Sequence, residues 1–197
     1  MIWWCKGRRL LSVVLPGLAA FALLAALAHD EAVSLPGLLG SGNLVFLVHL
    51  TPLLVTGVLT HSLAQRLPEA EDLAMRPVRR YDVLLVLLTA VAAAGAAGVV
   101  GAVAHSSTAY EAGRNTLFLT GLMLLAGAVY PRAASVAPVA WVFTAALVGY
   151  QDHHRPWPWA VTLHRAGYLP TLALCVAVFL GGLVVLYRTR GHRPPTD

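Results

Sequence analysis

The chain has 197 residues, of which 58% are apolar and only 12% charged, with a formal net charge of +5 and a mean hydropathy of +0.70. A soluble domain is about 25% charged, so this composition excludes an ordinary water-soluble fold, and the longest polar seam, 66–82, holds only 17 residues. In a membrane setting the basic excess sets orientation and meets anionic headgroups, so it is not read as nucleic-acid affinity.

Six runs carry no Asp, Glu, Lys or Arg: 10–29, 32–65, 83–110, 115–131, 133–151 and 166–187. Most match the roughly 20 residues a helix needs to cross a bilayer. They lack the alternation of a barrel, so backbone hydrogen bonding in lipid leaves helices. The expected fold is all-α: a single transmembrane domain over 1–197 with six transmembrane helices at 10–28, 43–64, 83–104, 112–130, 133–150 and 169–187.

The first helix follows Lys6, Arg8 and Arg9 and ends at Ala26-Leu27-Ala28 like a secretory signal, but its uncharged run of 19 residues, 10–28, exceeds a cleavable core. An uncleaved signal anchor is expected. The second carries His49, Thr56 and Thr60 at i, i+7 and i+11, one face of a helix, with Pro52 between them. Intramembrane polar groups usually face the bundle interior. They either bond neighbouring helices or, with Arg114 and Asn115, line a substrate pathway.

The seam Leu67–Pro77 reads as a short helix: Pro68 suits its first turn, Glu69, Glu71 and Asp72 lie at the positive end of its dipole, and Pro77 stops it. Arg76, Arg79 and Arg80 follow. The third helix has small residues at Ala94, Gly98 and Ala102, beside Gly95 and Gly101, spacing that lets helices approach closely in lipid. After Arg114-Asn115 only 15 apolar residues reach Tyr130, roughly 22 Å of helix. Either Arg114 and Asn115 belong to the fourth helix, which is preferred, or 115–150 is a re-entrant hairpin.

With the N-terminus inside, eleven basic residues are cytoplasmic (Lys6, Arg8, Arg9, Arg66, Arg76, Arg79, Arg80, Arg132, Arg188, Arg190, Arg193) against three outside (Arg114, Arg155, Arg165). Both termini are therefore expected in the cytoplasm. The Arg- and Ala-rich usage suggests a high-GC bacterium, hence a multi-pass protein of a bacterial plasma membrane. Cys5 and Cys175 provide no disulfide framework.

This topology places His29, His105, His153, His154 and His164 at the outer surface. Neutral imidazoles suit Zn or Cu, and two axial ones suit a haem, so a membrane redox or metal protein is one alternative; a polar rim is the plainer account. No HxxxH, HExxH, GxSxG or GxxxxGK[ST] spacing occurs. No cofactor is therefore assigned to the chain itself, and ATP could act only through a partner. The external seam has Trp157, Trp159 and Tyr168 as interface anchors, and 159–168 could be a short helix dipping into the membrane.

The six-helix layout with both ends inside, the connector Glu69–Met75, the tight turn at Pro131-Arg132 and the possible re-entrant 159–168 resemble an ABC-2-type exporter permease, and the segment Gly113–Leu122 and the Trp157-Pro158-Trp159 loop also look like small permease-like proteins of high-GC bacteria. That resemblance implies a homo- or heterodimer in the bilayer, each subunit contacting a cytoplasmic ATPase. Glu69–Met75 would be the coupling helix, with Glu69, Glu71 and Asp72 as contacts and Arg76, Arg79 and Arg80 adjoining. A non-catalytic accessory subunit remains the other alternative.

Overall fold

The computed structural model describes residues 10–28, 32–35, 43–64, 78–152 and 155–188. Six α-helices are present among them: α1 (Leu15–Leu27), α2 (Pro52–Ala64), α3 (Val78–Ala104), α4 (Ser107–Val129), α5 (Ala133–Val148) and α6 (Leu169–Arg188). Three, over Arg79–Ala104, Ser107–Val129 and Leu169–Arg188, are long and apolar enough to cross a membrane, and the other three are shorter apolar helices. The seam with Glu69, Glu71, Asp72 and Arg76 lies outside the described residues, as do His29, His153 and His154.

The outer surface suits contact with lipid. On α6, Leu172, Val176, Leu180 and Val184 are exposed at four-residue intervals, while Thr171, Cys175, Phe179 and Gly182 face inward. An exposed aliphatic stripe of this kind is unfavourable in water and neutral in hydrocarbon. Polar side chains lie in the interior, including Thr56, Asp82, Thr89, Glu111, Arg114 and Asn115.

α4 is the central helix, contacting α2, α3, α5 and α6. Its approach to α6 is closest at two glycines. A Cβ on Gly121 would lie 2.6 Å from the Val178 carbonyl, and one on Gly182 would lie 2.9 Å from the Gly121 carbonyl. On the α3 side, Gly113 sits against Ala94 and Ala97. Ala94 thus does serve helix contact, whereas Gly95 and Gly98 face open space.

Several expected boundaries move. α2 begins at Pro52, a residue preset for a first helical turn. Residues expected to start it instead form strand β2 (Asn43–Phe46), paired antiparallel with β1 (Ala32–Leu35), and a 3₁₀ turn, Leu47–Leu50. A second small hairpin pairs β3 (Tyr150–Asp152) with β4 (Arg155–Pro156). The described residues are mostly helical, as expected, with these two short hairpins besides the helices. β-branched and apolar residues such as Val33 and Val45 serve a strand as readily as an apolar helix.

The fourth helix starts at Ser107, so Arg114 and Asn115 lie within it. Its 23 residues give roughly 34 Å of helix. At its far end Tyr130 is extended, as the residue before Pro131 must be, and α5 begins two residues beyond that proline. Between α3 and α4, His105 takes φ 54° and the Ser106 N–H donates to the Gly101 carbonyl at 3.1 Å. This is a Schellman-type ending with histidine where glycine is usual.

Candidate functional site

The second turn of α4 presents Glu111, Arg114, Asn115 and Thr116, all buried although two are charged. Buried charge is costly unless paired and hydrogen-bonded, and each of these groups has partners. Arg114 Nη1 donates to the Arg165 carbonyl at 3.0 Å. Nη2 donates to the His164 carbonyl at 2.6 Å and the Val161 carbonyl at 3.3 Å. Asn115 Nδ2 donates to the Thr162 carbonyl at 2.8 Å. Four backbone acceptors between 161 and 165 are thereby satisfied from one helix turn.

The acceptors need such donors because their segment is irregular. The stretch before α6 holds one 3₁₀ turn, Val161–Leu163, with Ala160, Val161 and Thr162 buried. Buried non-helical backbone persists only where protein satisfies its polar groups. In place of the short helix that 159–168 could have formed stands this strap, which Arg114 and Asn115 clasp.

Glu111 extends the node. Its Oε2 lies 3.2 Å from His49 Nε2, and its Oε1 accepts from the Ala166 N–H at 3.2 Å. Three elements distant in sequence thus meet at one carboxylate: the turn before α2, the second turn of α4 and the strap before α6. Glu111 and Arg114 are three residues apart, a spacing that brings opposite charges together on a helix. Tyr150, just beyond α5, has its phenol pushed above the usual tyrosine range by burial and, secondarily, by the Glu111 charge.

The expected pathway residues are divided. His49 lies on the 3₁₀ turn, not on α2, so it does not continue the helical face of Thr56 and Thr60. Thr56 donates to its own helix at Leu53, 3.0 Å away. The Thr60 hydroxyl is buried without a hydrogen-bond partner among the described residues, as is that of Thr120 on α4. Arg79 and Arg80 are exposed in the first turn of α3.

The outer histidines do not gather among the described residues. His105 is exposed in the α3–α4 turn, while His164 is committed locally, donating Nδ1–H to the Ala160 carbonyl at 3.1 Å and stacking on Tyr168 at 5.2 Å. No three His, Cys, Asp or Glu side chains converge as metal ligands among the described residues. An aromatic line of Phe118, Trp141 and Trp159, with centroids 5.1 and 6.2 Å apart, braces the strap from α5.

Sequence reasoning singled out Arg114, Asn115 and His49, and Glu111 was not among its candidate site residues. The available signal was Glu111, Arg114 and Asn115 at i, i+3 and i+4, the spacing of one helix face. No protein-family model, curated protein or solved structure matches the chain.

Proposed function

We propose that this protein is the membrane-embedded permease subunit of an ATP-binding-cassette-type exporter, energised by a separate cytoplasmic ATPase. The observation that supports this reading best is the His49–Glu111–Arg114 node. Intramembrane ionisable groups are expensive and usually mark a functional interior. Here they join the turn before α2, α4 and the strap before α6. Rocking of those helices against one another, as alternating access requires, would make and break this node. The six apolar helices act as spans, both ends lie in the cytoplasm of a bacterium, and Glu69, Glu71 and Asp72 contact the ATPase with Arg76, Arg79 and Arg80 beside them. ATP enters only through that partner.

Co-purification with an ATPase and stimulation of its turnover by the membrane subunit test the assignment. Reversing Glu69, Glu71 and Asp72 to lysine should abolish stimulation while leaving the bundle folded. Stimulation unchanged by the triple reversal would remove the coupling role.

A second reading, an accessory subunit that works by pairing with another membrane helix, draws on α3. Added Cβ atoms at Gly95 and Gly98 would meet nothing within 4 Å, leaving a small-residue face open to a partner or a second copy. Cysteine at Gly98 should then cross-link copies in native membranes, and without ATPase stimulation this reading would replace the first.

A further inference from the structure

The flank of α3 toward α1 holds an apolar groove of about 250 Å³, walled by Leu15 and Leu18 on one side and Leu84, Leu88 and Ala92 on the other. Its α3 wall runs from Tyr81 to Ala92, a rise of roughly 16 Å, or about half the thickness of a bilayer's hydrocarbon core. Leu15, Leu84 and Leu88 remain substantially exposed, so the groove opens sideways.

One end of the groove is cationic. Arg80, Leu84, Leu88 and Ala92 follow at intervals of four, so Arg80 extends the same stripe one turn past the apolar wall. Arg79 stands beside it, both are exposed, and neither is paired with an acidic group among the described residues.

We infer that this groove is a binding site for a glycerophospholipid with an anionic headgroup. One acyl chain lies between α1 and α3, and the phosphate sits against Arg80 and Arg79. Charge complementarity selects the occupant: the walls are apolar along their length and two exposed arginines stand at one end. One acyl chain with one anionic headgroup matches that pattern, and basic pockets between transmembrane helices favour anionic headgroups. The inference does not rest on the exporter reading.

The test uses the full chain purified in detergent, with phosphatidylglycerol and phosphatidylcholine as probes. Native mass spectrometry should show preferential retention of phosphatidylglycerol. R80Q should lower that preference about fivefold, from the ~1 kcal/mol typical of one basic residue near an anionic surface. Ala92→Phe should reduce retention of both lipids by filling the groove, and R188Q, at the end of α6, should change neither. Equal losses in R80Q and R188Q would mean unspecific annular lipid and overturn the site. Independently of whether any variant folds, phosphatidylglycerol with a photoreactive acyl chain should label 84–92 in the wild-type protein. Labelling spread evenly over the helices, or capture of a second copy at this face, would equally overturn it.

Discussion

Arg114 donates a 2.6 Å hydrogen bond to the carbonyl of His164, fifty residues further along the chain. Through this bond and its neighbours a single turn of α4 holds the strap that leads into α6. Replacing Arg114 with Gln removes the charge and most of the donors at once, leaving buried carbonyls unpaired. Loss of about 2–5 kcal/mol is expected. Lys, with fewer donors in a different geometry, should fall between. Thermal unfolding in detergent measures the loss, and faster proteolysis within 157–168 locates it.

The His49–Glu111 contact predicts a specific coupling. Glu111→Gln keeps an oxygen for the Ala166 N–H but loses the charge facing His49. A double-mutant cycle of Glu111→Gln with His49→Ala should give a coupling of about 0.5–3 kcal/mol. Strictly additive unfolding energies would show that the 3.2 Å approach contributes nothing.

Gly121 is constrained by backbone and not by side-chain ends, because an added Cβ would meet Val178 O and the Phe179 backbone within 2.7 Å. Gly121→Ala should therefore force α4 and α6 apart and destabilise by about 1–3 kcal/mol. Gly98→Ala, with open space around it, should be neutral or slightly stabilising in the monomer. The two variants compared by thermal unfolding separate packing from helix propensity.

Tyr150 supplies the pH dependence. Burial, aided by the Glu111 charge, raises its folded-state pKa, so the folded protein favours the neutral phenol more than the unfolded chain does. Its contribution to stability is fully present below the unfolded value near pH 10 and is lost as pH climbs from there through the folded value. Tyr150→Phe should flatten that alkaline decline. In the absorbance difference between wild type and variant, the missing tyrosinate signal should titrate above the ordinary range.

His105 occupies a left-handed conformation, φ 54°, in an exposed turn. Such a conformation costs an L-residue roughly 1–2 kcal/mol, part of which glycine recovers. His105→Gly should raise unfolding stability by about 0.5–1 kcal/mol. A decrease would mean that the imidazole makes a contribution beyond the turn.

The apolar runs located the six helices of the described residues because hydropathy and length are local properties, summed over neighbours in sequence. They failed at 43–50, where a helix was expected and a strand and 3₁₀ turn occur. Apolar residues alone do not separate a short strand from a helix, and Pro36, Gly37, Gly40 and Gly42 were the unused turn signals. The start of α4 was ambiguous for a related reason. A charged Arg114 interrupts the run, and only its partners in 161–165 make that charge tolerable inside.

From the sequence alone follow the membrane-like composition, the approximate helix positions and the rank of Arg114, Asn115 and His49 as unusual residues in apolar surroundings. The tertiary structure decided what those residues do. It turned Arg114 and Asn115 onto the strap, placed Glu111 between His49 and Ala166, and brought α4 and α6 together at Gly121 and Gly182. The division has a physical cause. Transfer from water to hydrocarbon is set residue by residue, whereas a buried donor must find its acceptor wherever the fold presents one, here about fifty positions away.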